Sequence, residues 1–184
     1  MIPLGYMLVE VKAKPDWIDS DVVEQVYSAC GCCVSPFFMD YIPLWKHNGW
    51  WLFDNPVVLK QIASENGCDL SKLKLFYYEA FEQEFVEEAG WRAIAPEASL
   101  ETSVKVPSHK TLQGYDVVTF TVQTSPESSP LSCCNLAEDF PVNRFCLLDS
   151  FEMAHEAAER FAEIDCEPGP YRIFAVYELD EERG

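Results

Sequence analysis

Hydrophobic positions along this chain change period several times, and each change marks an element. Near the N-terminus Met7, Val9 and Val11 alternate with Leu8, Glu10 and Lys12, the period-two pattern of a half-buried strand. Asp19 or Ser20 then offers a cap for a short helix whose apolar stripe is Val22, Val23, Val26 and Tyr27, with Gly31 as its stop. The aromatic segment from Cys33 to Phe53, interrupted by Pro36 and Pro43, reads as irregular strand and loop. A second helix is predicted after Asp54, with Pro56 in the first turn, where a missing N–H costs nothing. Val58, Leu59, Ile62 and Ala63 form its inner face, and Asn66-Gly67 ends it through a left-handed residue.

From Leu73 the period returns to two and runs through Phe85. Glu88-Ala89-Gly90 is a turn, and Trp91 to Ala95 is the returning arm of a hairpin. Pro96 to Gly114 reads as a long polar connection with one short strand at Val104 to Val106. Asp116 to Val122, rich in β-branched residues, is the best candidate for a central strand. A proline-containing loop from Ser125 to Pro130 leads to a helical turn within Leu131 to Phe140 and a short strand near Phe145 to Leu148. Asp149 with Glu152 resembles a capping box opening a helix to about Ile164. Glu167-Pro168-Gly169-Pro170 breaks that helix, and Tyr171 to Leu179 closes the fold as a strand. No repeat and no domain boundary is visible. The expectation is one α+β domain over residues 1–184, a mainly antiparallel sheet with about three helices in a single layer on one face.

Charge then narrows the partner class. The chain carries 31 Asp and Glu against 13 Lys and Arg, a net charge of -18 on 184 residues. Such a field repels phosphate backbones and draws in basic partners, so nucleic-acid binding is disfavoured. With 48% hydrophobic residues the chain has ample apolar material for a folded core. No basic segment followed by an apolar run opens the sequence, and no stretch approaches the roughly 18 apolar residues of a membrane span. A cytoplasmic protein, of bacterial type, with no membrane partner is expected, and its eight cysteines are expected as reduced thiols.

Candidate chemistry lies in three places. Glu152, Glu156, Glu159 and Glu163 fall on one ridge of the last helix, either a solvated face or a docking strip for a basic partner. Glu79, Glu82 and Glu84 belong to a second acidic run on the long strand, either a guard against edge pairing or a recognition edge. The cysteines cluster as Cys30, Cys32 and Cys33, and as Cys133 and Cys134. Adjacent cysteines suit a closed zinc site poorly, and small buried hydrophobes are the plainer reading. The alternatives are a metal held by Cys32, Cys33, Cys133 and Cys134, and a catalytic thiol at Cys133 paired with a histidine such as His47. Cys133 is favoured because the N-terminus of a following helical turn would lower its pKa. Of the three histidines, His47, His109 and His155, none is singled out by spacing. No cofactor motif is present.

Gly114-Tyr115-Asp116-Val117-Val118, Ser129-Pro130-Leu131-Ser132-Cys133 with Asn135, Val142-Asn143 with Cys146-Leu147-Leu148, and Ser150-Phe151-Glu152 together resemble a bacterial family of small proteins to which no activity attaches. The resemblance covers about the last 70 residues. In size, acidity and α+β pattern the chain is also similar in type to immunity proteins of bacterial toxin systems. That likeness implies an acidic inhibitor that covers the basic active site of a cognate toxin, with self-association open. A thiol- or metal-dependent enzyme built on the two cysteine groups is the competing expectation.

Overall fold

The computed structural model describes residues 1–30, 50–94, 103–120, 126–164 and 167–179. Five strands form one antiparallel sheet: β1 (Ile2–Glu10), β2 (Leu73–Val86), β3 (Gly90–Ala93), β4 (Thr111–Thr119) and β5 (Tyr171–Leu179). The order is β1-β2-β5-β4, with β3 paired to the far end of β2. Three α-helices accompany it: α1 (Pro56–Glu65), α2 (Pro130–Cys133) and α3 (Phe151–Glu163). The α+β class with an antiparallel sheet is therefore the architecture of the described residues.

Alternation along β4 and β5 divides the core into two clusters. On β5, Tyr171 and Ile173 join one, while Phe174 and Val176 join the other. On β4, Val117 goes one way and Val118 the other, as a period of two requires. The Val117 and Ile173 face carries α2 and α3. Ala154, Ala157, Ala158 and Phe161 of α3 are buried there, and the three alanines let the helix approach the sheet closely. The other cluster holds α1, through Leu59, Ile62 and Ala63, together with Phe76, Trp50 and Phe120.

Several local expectations change. β1 is buried on both faces from Leu4 to Val9, because α1 packs on it and Phe53 pairs with Tyr6 along its outer edge. Residues 19–30 form no helix. Their backbone is drawn into pairing elsewhere: Lys14 N–H donates to the Glu24 carbonyl at 2.8 Å, Glu24 N–H to the Arg144 carbonyl at 2.8 Å and Tyr27 N–H to the Phe145 carbonyl at 3.1 Å. A valine-rich stripe tolerates extended backbone well, so these long-range bonds win over helix. The cap of α1 is Asn55, whose side chain accepts from Val57 N–H, in place of Asp54. The cap of α3 is Ser150, which accepts from Met153 N–H, because Asp149 is engaged by the Asn143 side chain at 3.0 Å. Val104 to Val106 and Phe145 to Leu147 lie in no strand.

β4 starts at Thr111, earlier than expected, and ends the sheet, with β5 and β2 in the centre. It is nonetheless buried, because Tyr115 and Leu148 exchange both backbone hydrogen bonds at 2.8 and 2.9 Å on its outer side. Gly114 makes this possible. It sits at φ 145 in a register shift, and a Cβ there would lie 2.8 Å from both Leu147 Cβ and the Leu148 carbonyl. Asn143 closes the same corner, donating to the Gln113 carbonyl and Asp149 and accepting from Phe145 and Leu147 N–H.

An ion cluster sits inside the sheet where β2 and β5 pair. Glu84 is 4% exposed and accepts from Arg172 Nε at 2.8 Å and from Arg92 at 2.8 and 3.0 Å. The Arg172 guanidinium lies over the Phe120 ring at 4.1 Å. Removing one partner from a buried pair strands the other charge. Glu84→Ala is expected to cost about 3–5 kcal/mol in urea unfolding, whereas Arg92→Ala, on a half-exposed partner, costs about 1 kcal/mol or less. Gly114→Ala is expected to destabilise by about 1–3 kcal/mol, from the strained φ and the clash at Leu148. An unchanged unfolding midpoint in either Glu84→Ala or Gly114→Ala would contradict this account.

Candidate functional site

The chemically richest locus is built around Asp116 on β4. Its carboxylate is fully buried and receives three donors from two separate segments. Ser28 Oγ and Ala29 N–H donate to Oδ2 at 2.7 and 2.9 Å, and Ser129 Oγ donates to Oδ1 at 2.7 Å. Ser129 is the N-cap residue of α2, yet its hydroxyl makes no capping bond and turns to the carboxylate. Pro130 follows at the first helical position, where its missing N–H leaves nothing unsatisfied. Burial pushes the Asp116 carboxyl above the usual range, against the hydrogen bonds of Ser129, Ser28 and the Ala29 and Val117 N–H groups, which pull it down.

This knot places Cys30 and Cys133, one cysteine from each group, side by side. Cys30 follows the Ser28-Ala29 arm, and Cys133 ends the helix that Ser129 begins. Their Sγ atoms lie 3.8 Å apart across 103 residues of sequence. Cys30 is buried and Cys133 exposed. Cys133 closes α2, its N–H donating to the Ser129 carbonyl at 2.7 Å, so the expected activation by a helix N-terminus does not hold. Cys146 stands nearby with its thiol pushed up to about 12, first by burial and then by Asp116 and Cys133, and it stays protonated at neutral pH. No disulfide joins two of the described cysteines.

Cys133 and Ser132 open onto a cleft of about 350 Å³. Its other wall is the N-terminal arm, with Lys12, Ala13, Pro15, Trp17 and Val26, below the end of β1. Trp17 spans the two walls, its indole N–H donating to the Ser132 carbonyl at 3.1 Å. The arrangement joins an accessible thiol, a buried second thiol and a largely apolar cleft. It is a setting for thiol exchange. Among the described residues, no three His, Cys, Asp or Glu side chains assemble as a metal cage. Cys32, Cys33 and His47, named in the metal and thiol alternatives, lie outside the described residues. Cys134 is half-buried beside Cys133. Charge and cysteine counting do not reveal Asp116, Ser28 and Ser129. The spacing Cys30-Gly31-Cys32-Cys33, a Cys-x-x-Cys, is the signal that would have singled out Cys30.

The acidic candidates separate into two kinds. Glu152, Glu156, Glu159 and Glu163 are all exposed along α3. Glu159 is also anchored, accepting from the Trp91 indole N–H at 2.7 Å, while Trp91 stacks on His155 at 4.1 Å. Phe81, Phe85, Trp91 and Phe151 form a half-buried aromatic patch beside this helix, with Phe81 4.8 Å from Phe151 and 5.8 Å from Trp91. Of Glu79, Glu82 and Glu84, only Glu82 is exposed, and it pairs with the N-terminal ammonium at 3.0 Å. Glu84 is buried between two arginines and does not form part of a recognition edge. Glu79 is mostly covered, bonded to Lys110 and accepting from the Tyr77 and Tyr177 hydroxyls at 3.2 and 3.1 Å. Both positions change role for one reason: the strand is interior and its acids meet cations there. His109 is exposed.

A carboxyl whose pKa is raised by folding contributes stability below its unfolded value, about 3.9, and that contribution is lost as pH rises through its folded value. Wild type is therefore expected to lose stability relative to Asp116→Asn as pH climbs from about 4 towards 7. Urea unfolding of both proteins across that range checks it. A difference that does not vary with pH would place the Asp116 titration at its unfolded position.

No family model, no curated protein and no solved structure matches this chain.

Proposed function

We propose that this protein is an acidic binding protein that docks a basic protein partner on the outer face of α3. The observation that carries the reading is the exposed ridge Glu152, Glu156, Glu159 and Glu163 beside the half-buried patch of Phe81, Phe85, Trp91 and Phe151. Aromatic surface with a charged rim is the usual anatomy of a protein interface, the rings supplying affinity and the rim steering. Like charges three and four apart on one helix face cost a few tenths of a kcal/mol each. A helix shaped for stability alone gains by mixing lysines into that ridge. A cationic enzyme surface, such as the substrate channel of a nuclease, is complementary to this face, which is the chemistry of an immunity-type inhibitor acting in the cytoplasm. Such a field would equally turn away nucleic acid.

A second reading, thiol chemistry at Cys133, draws on its 3.8 Å approach to Cys30 beside the cleft.

The ridge is tested with a poly-lysine peptide as probe. Glu156→Lys with Glu163→Lys is expected to leave stability within about 0.5 kcal/mol. Association with the probe should slow at low salt, and the defect should shrink as the Debye length falls from about 8 Å to about 3 Å. Glu65→Lys with Glu138→Lys, exposed elsewhere, changes net charge by the same amount and serves as comparison. Equal slowing in the two double variants would show that the ridge is only a solvated face.

A further inference from the structure

We propose that Cys30 and Cys133 form a reversible disulfide that fastens the N-terminal arm to α2, with a low-molecular-weight disulfide as the oxidant. The inference goes beyond partner docking and does not depend on it.

Three observations converge on this pair. The Sγ atoms are already 3.8 Å apart, so a bond of about 2.05 Å needs an approach of under 2 Å, within reach of a side-chain rotation and a small backbone shift. The two thiols are positioned by one group: Asp116 holds Ser28 and Ala29 immediately before Cys30 and Ser129 at the start of the helix that ends in Cys133. The third observation is asymmetry of access. Cys133 is exposed and lines the cleft, where a small disulfide can reach it, whereas Cys30 is 1% exposed and can meet only a partner already inside the fold.

That asymmetry sets the order of events. The Cys133 thiolate attacks the small disulfide, a Cys133 S–S bond forms, and one small thiolate leaves and takes up a proton. Cys30 then gives up its proton and attacks Cys133 Sγ. The mixed disulfide breaks and a second small thiol leaves. Two protein thiols are oxidised to one disulfide, and one small disulfide is reduced to two thiols. Cys146, buried and held protonated, does not compete. The new bond joins the two walls of the cleft, since Lys12, Ala13, Pro15, Trp17 and Val26 belong to the arm and Ser132 and Cys133 to α2. Oxidation would therefore fix the cleft's width, and reduction would release it.

The test uses the full chain and oxidised glutathione. After exposure, remaining thiols are alkylated, the protein is digested without reductant, and linked peptides are mapped by mass spectrometry. The expected product joins Cys30 to Cys133 and disappears on reduction. Cys30→Ser should abolish that link and raise the glutathione adduct on Cys133 to about one per chain, because the resolving thiol is gone. Cys133→Ser should leave Cys30 unmodified, and Cys68→Ala should leave the link intact. Joining Cys30 to Cys33, joining Cys133 to Cys134, or equal glutathione labelling of Cys30 and Cys133 would each overturn the proposal. So would a wild-type chain that keeps a stable glutathione adduct on Cys133.

Discussion

The buried carboxylate of Asp116 is the constraint on which the rest of the site depends. A lone carboxylate in an apolar interior is costly, and the cost is offset only if donors come to it. Here they come from far along the chain: Ser28 and Ala29 from the N-terminal arm, Ser129 from the start of α2. Satisfying one charge therefore draws two distant segments onto the terminal strand. The meeting of Cys30 and Cys133 follows, because each lies only a few residues from a donor. The cleft between the arm and α2 is a product of the same closure.

Charge is handled differently inside and outside. The chain has few cations, and several are engaged within or against the sheet: Arg172 and Arg92 on Glu84, Lys110 on Glu79, Lys74 on Glu178. Lys110 also lies over the Tyr177 ring at 4.1 Å. On the outside, Glu152, Glu156, Glu159 and Glu163 lie exposed along α3. The folded core is compensated while the exterior keeps a long-range negative field.

The corner of Gly114, Asn143 and Leu148 gives the sheet its end. The segments around Gly114, Asn143 and Ser150 meet here. Gly114 admits the Leu147-Leu148 backbone, Asn143 bonds four groups around the turn, and Asp149 holds that side chain while Ser150 starts α3. These residues are explained by close packing, without catalysis. Asp116, two residues beyond Gly114, and Ser129, at the start of α2, are the ones that lead to the thiol pair.

Periodicity by itself determined the elements whose signals are local. The α3 stripe of Ala154, Ala157, Ala158 and Phe161, the Asn66-Gly67 end of α1 and the hairpin at Glu88 to Gly90 were all readable, because a helix face or a tight turn is set by residues within one turn of each other. Tertiary structure decided what local pattern could not. Val22, Val23, Val26 and Tyr27 have helical spacing, but the carbonyls of Arg144 and Phe145 hold that segment extended. Glu79 and Glu84 look like surface acids until β5 and Lys110 arrive beside them. Asp116 looks like one residue of a β-branched strand, and its partners lie 13 and 88 residues away. Sequence spacing carries information over a few residues. Long-range hydrogen bonds and ion pairs exist only once the strands have been placed in register.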